Sequence, residues 1–203
     1  MQPTREQLYD CLVSLGVTPT KQQVSDLLKI SERYYRNKSV QVPKEKHLEA
    51  LLNTRNALNN NEVANSPLVN IALARLALNG YRTNSPKQVV QKAFKKAKLD
   101  AGDNGRPRKI ADDALMTALC LYYREMFAPA AHPYQPQTVS HLPEFKSLKD
   151  KNDNVTYEGK GYDFIVTVWR VITDDNIKVK SETIGRYLVD EKSRINLIYN
   201  EKK

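Results

Sequence analysis

The stretch whose reading decides the fold is Thr20 to Lys38, TKQQVSDLLKISERYYRNK. Its apolar positions, Val24, Leu27, Leu28, Ile30 and Tyr35, recur at helical spacing. Ser31 stands where a side-chain oxygen caps a new helix by accepting from an orphan backbone N–H. The spacing therefore predicts one helix, a tight turn at Lys29, and a second helix opening at Glu32. That is the layout of a helix-turn-helix DNA reader, whose second helix offers side chains to phosphates and base edges. Those side chains are Arg33, Tyr34, Arg36, Asn37 and Lys38. One position departs from the pattern: Lys29 occupies the turn, where many such motifs place Gly. Short helix pairs of this spacing also arise from plain packing, so the rest of the chain has to arbitrate.

Upstream, Thr4 to Leu15 reads as a helix. Thr4 with Gln7 resembles a capping box, and Leu8, Cys11, Leu12 and Leu15 form one apolar stripe closed by Gly16. The run REQLYDCLVSLGVTPTKQQVSDLL resembles the N-terminal DNA-binding domain of KfrA-type plasmid regulators. There too a helix ends in Gly, a Pro-Thr pair follows, and a Val-containing helix comes next; Gly16, Pro19, Thr20 and Val24 match. The likeness covers about the first 40 residues. It stops there, because that family continues into a long coiled coil and this chain does not. It implies DNA binding.

The totals agree with such a partner. The chain has 203 residues and a formal net charge of +9, and a basic protein most often meets a polyanion. Hydrophobic residues at 40% suffice for a packed core, and seven glycines are few for a turn-rich all-β fold. Cys11 and Cys120 lie far apart inside apolar helical runs, as small buried hydrophobes do, which fits a reducing compartment. The N-terminus lacks an apolar signal core and no segment is long enough to span a bilayer. The expected location is cytoplasmic, on the nucleoid.

The middle of the chain reads as further helices. One starts at Pro43. A nearly all-apolar one, about Ser66 to Leu78, is expected at the centre of the core. A third opens at Ser85-Pro86 and buries Val89, Val90, Ala93, Phe94 and Ala97. Between Arg82 and Lys109, nine cations face only Asp100 and Asp103. Of these, Lys92, Lys95, Lys96, Arg106, Arg108 and Lys109 are candidate contacts to the DNA backbone or minor groove. Gly105-Arg106-Pro107 matches the core of a minor-groove hook, in which Gly approaches the groove floor and Arg enters its negative potential; a solvated basic loop is the alternative. Ile110 to Phe127 is a long helix with Asp112 and Asp113 in its first turn, where negative charge suits the helix dipole.

Pro129, Pro133, Pro136 and Pro143 mark a linker, and 146–160 is polar and turn-rich. YDFIVTVWRVI, from Tyr162, fits strand or helix; Ile165, Val168, Trp169 and Ile172 share a helical face. A displacement of 160 positions tips it to helix. Val24 then falls on Ile184, Ser25 on Gly185, Leu28 on Leu188 and Tyr35 on Ile195, while Leu8, Cys11 and Leu12 fall on Val168, Val171 and Ile172. The C-terminus thus reads as a second helix-turn-helix, presenting Lys192, Arg194 and Asn196.

The expectation is a mainly α protein. It has an N-terminal helical domain (1–127), a linker (128–160) and a C-terminal helix-turn-helix-like domain (161–203). It binds double-stranded DNA sequence-specifically as a transcriptional regulator or replication or partition accessory factor of a plasmid or phage. Self-association or a protein partner stays open. No membrane partner, metal or cofactor is implied: His47, His132 and His141 are scattered, and no phosphate loop or nucleophile motif occurs. The alternatives are a helical adaptor that docks an acidic protein, and a DNA-processing enzyme whose site assembles from distant residues.

Overall fold

The structure, a computed structural model, describes residues 1–39, 67–78, 88, 91–95, 110–127, 143–149, 151, 155–174 and 180–200. Its elements are α1 (Arg5–Ser14), α2 (Lys21–Ser39), α3 (Pro67–Leu78), α4 (Ile110–Phe127), β1 (Lys146–Lys149), β2 (Val155–Glu158), α5 (Lys160–Thr173) and α6 (Ser181–Asn200). The fold is mainly α, as the sequence predicts.

α1 begins where its caps dictate. Thr4 Oγ1 accepts from the Gln7 amide at 3.2 Å and Gln7 Oε1 accepts from the Thr4 amide at 2.8 Å. Gly16, at φ 74°, ends it: its amide donates to Val13 O and that of Val17 to Leu12 O. After four residues the same box opens α2. Thr20 Oγ1 accepts from the Gln23 amide, and Gln23 Oε1 from the Thr20 amide.

From there α2 runs unbroken to Ser39, which corrects the expected turn at Lys29. No Gly or Pro interrupts Lys21–Ser39, and Lys is a good helix former. Ser31 caps nothing. It lies fully buried in mid-helix, in line with Val24, Leu27 and Tyr34. The C-terminal window is likewise one helix, α6, not two. What does recur is the helix pair itself. Shifted by 160, α2 coincides with α6 to within a residue at each end, and α1 overlaps α5. Leu8 and Val168, Leu12 and Ile172, Val24 and Ile184 are buried at matching places.

The centre of the core is α4, not the helix expected near residues 66–78. It packs against α2, α3, α5 and α6. Leu115, Met116, Leu119, Cys120 and Tyr122 are all buried on it. Tyr122 stacks on Phe164 of α5 at 6.2 Å, and its hydroxyl donates to Gln23 O at 3.0 Å. α3 covers one side of α4 and touches α6. Among the described residues, a single hydrophobic cluster runs from Leu8 through α4 to Ile195.

Inside the stretch expected as linker, β1 and β2 form an antiparallel hairpin with Ser147 opposite Tyr157. Its anchors are aromatic. Tyr157 meets Phe145 and Tyr162 edge-on or tilted, at 5.9 and 5.8 Å. Its ring also lies against Gly185 of α6, where any Cβ would collide with it.

Candidate nucleic-acid interface

The expected reader side chains divide between the two faces of α2. The inward face carries Val24, Leu27, Ser31 and Tyr34. Tyr34 lies seven residues after Leu27, close to two full turns, so it turns to the core: it is 5% exposed, with its hydroxyl 3.5 Å from Asp112 Oδ1 and its ring edge-on to Tyr35. This removes Tyr34 from the expected reading surface. Lys38 falls near the same side at the helix end, and its ammonium lies 5.5 Å from the Tyr34 ring centroid and 6.0 Å from that of Tyr35. Asn37 is half-buried.

The outward face carries Gln22, Lys29, Arg33 and Arg36, all exposed. Residues 29, 33 and 36 follow i, i+4, i+7 spacing and share one stripe. At its N-terminal end the stripe is neutralised. Gln22 Nε2 and Lys29 Nζ both donate to Asp26 at 2.9 Å, and together they hold its carboxyl below its usual range. The C-terminal half is cationic, and Arg36 and Lys38 in the last turn also complement the helix dipole. Lys29, expected from the sequence at a turn and not among the reader side chains, belongs to the stripe. Its spacing to Arg33 and Arg36 is the signal that identifies it once the helix is known to be continuous.

The C-terminal candidates are placed differently. Arg194 donates to Asp113 Oδ1 at 3.1 Å and lies 3.9 Å from Glu191 Oε2. Lys192 sits 4.5 Å over the Phe145 ring and donates to Pro143 O at 3.3 Å, and burial pulls its ammonium below its ordinary value. Both are engaged inside the molecule. The side chain of Asn196 lies outside the described residues, as do Lys96, Arg106, Arg108, Lys109 and the Pro43 helix. In the helical piece 91–95, Lys95 is exposed and Lys92 half-buried.

Among the described residues, no three His, Cys, Asp or Glu side chains group to hold a metal, and no helix is long and apolar enough to cross a membrane. Comparison with protein-family models, with curated proteins and with solved structures finds no match.

Proposed function

We propose that this protein binds double-stranded DNA, and that the outward stripe of α2 is the contact. The single observation behind the reading is the row Lys29, Arg33, Arg36 on one face of a helix, two exposed arginines in line with a lysine that pairs with Asp26, in a chain of net charge +9. The row is about 10 Å long at 1.5 Å per residue. A duplex presents one phosphate per roughly 3.4 Å along each strand, so the row reaches more than one. Arg also forms bidentate bonds to guanine edges, the commonest base-specific contact in the major groove. The helix–Gly16–Pro19-Thr20–helix order shared with KfrA-type regulators points the same way. Lys95 and the basic segment up to Lys109 would add backbone contacts. The biological role in this reading is regulation of transcription, or assistance to replication or partition, for a plasmid or phage.

A mobility shift with mixed-sequence duplex at low salt tests the reading, followed by selection from a random pool. Binding is expected, with a recovered site whose preference changes in Arg33→Ala. Failure to shift any duplex at low salt overturns it.

A further inference from the structure

The row on α2 extends beyond its cations. Upstream of Lys29 it continues through Asp26 to Gln22, at the same steps of three and four residues. From Gln22 to Arg36 it is about 21 Å long at 1.5 Å per residue. The major groove is only about 12 Å wide. A straight helix of that length cannot set the whole row on base edges, and one end has to cross the phosphates.

Charge distinguishes the ends. The C-terminal end carries Arg33 and Arg36. The N-terminal end is a hydrogen-bonded trio: Gln22 Nε2 donates to both Asp26 oxygens and Lys29 Nζ to Oδ1, each at 2.9 Å. Its charges cancel, and at its centre is a carboxylate that phosphate oxygens repel. Glu32, also exposed on α2, lies to one side of the row. Asp26 remains open to a ligand, since its side chain keeps 44% exposure. A carboxylate accepts at about four sites, so the three contacts leave capacity for a donor from outside. In the major groove the donors are the exocyclic amino groups of cytosine and adenine, whereas guanine O6 and thymine O4 accept.

We propose, resting on the reading of α2 as the DNA contact, that Asp26 is its specificity-determining residue. The Gln22–Asp26–Lys29 end of the row faces base edges in the major groove, where Asp26 accepts from an exocyclic amino group, and the arginine end reaches the phosphates. The bonds from Gln22 and Lys29 orient the carboxylate before DNA arrives. It selects by exclusion as well as by attraction, since guanine or thymine in the same place sets oxygen against oxygen.

The test selects duplex from a random pool at low salt with the full chain, with Asp26→Ala and with Asp26→Asn. Affinities for the selected site and for mixed-sequence duplex are read by fluorescence anisotropy. Melting midpoints are expected to stay close to the wild type, because exposed pairs contribute little. The wild type is expected to select cytosine or adenine at one position, the recovered base separating the two amino groups. It should bind that site about tenfold more tightly than one with the base pair reversed. Asp26→Ala is expected to lose this preference and to bind mixed duplex at least as tightly as the wild type, a repelling charge having gone. Asp26→Asn, able to pair with adenine N6 and N7, is expected to select adenine there. An Asp26→Ala variant that recovers the wild-type site, or that loses affinity for every duplex alike, overturns the role of Asp26 and leaves α2 as the contact. So does a wild type that binds without selecting. A wild type that binds no duplex at low salt overturns both readings.

Discussion

Ser31→Ala separates the two ways of reading the Thr20–Lys38 stretch by the sign of its effect. In a helix-turn-helix Ser31 is an N-cap, and alanine there costs about 0.5–2 kcal/mol. In the structure Ser31 is 0% exposed inside a continuous helix, and its hydroxyl has no hydrogen-bond partner among the described residues. Alanine then gains about 0.5 kcal/mol of helix propensity. It also removes a buried unpaired hydroxyl, a group whose desolvation costs about 1 kcal/mol or more. Only one small atom is lost, so no sizeable cavity opens. The sum is a stabilisation of about 1–2 kcal/mol, which for a chain of this size raises the melting midpoint by roughly 2–4 °C per kcal/mol. Thermal unfolding followed by circular dichroism, with urea titration as a check at constant slope, measures it. A lowered midpoint would refute the single-helix account of α2.

Three further outcomes follow from the packing. Leu119→Ala, at a 0% exposed site on the central helix, is expected to cost about 2–5 kcal/mol in urea titration, since α4 is braced on several sides and collapses poorly around a void. Gly185→Ala is expected to cost about 1–3 kcal/mol through displacement of the Tyr157 ring, and much less in a Tyr157→Ala background. Burial pushes the Cys11 thiol up to about 11 from 9.0, so native protein at pH 8 is expected to react slowly with thiol reagents and rapidly in urea. Because this folded-state value is raised for an acid, its contribution to stability is present below pH 9 and declines as pH rises toward 11.

The parts of the fold legible in the sequence were those written in local chemistry. Thr4 with Gln7, and Gly16 after Leu15, mark the ends of α1 because capping needs only those side chains. Ile165, Val168, Trp169 and Ile172 announced α5 by their period, despite a β-branched run. Ser31 misled because the same residue that caps a helix is tolerated within one, and only tertiary burial decides which. The hairpin escaped notice because β1, Lys146-Ser147-Leu148-Lys149, is exposed throughout and has no alternation of apolar and polar faces. The importance of α4 over α3 was hidden too, since apolarity does not tell which helix has more neighbours. For the candidate interface, Arg33 and Arg36 were visible as exposed cations on α2. Tyr34, Lys192 and Arg194 were not separable from them, because their partners Asp112, Pro143, Phe145 and Asp113 lie far off in sequence.

The most direct measurement is the salt dependence of duplex binding by the wild type and by Arg33→Ala with Arg36→Ala, read by fluorescence anisotropy. Each lost phosphate contact lowers the slope of log K against log salt by about 0.9. The wild type is expected to bind with a steep negative slope, and the double variant to bind more weakly with a slope smaller by about 2. A wild type that does not bind, or a double variant with unchanged affinity and slope, would contradict the assignment of α2 as the DNA contact.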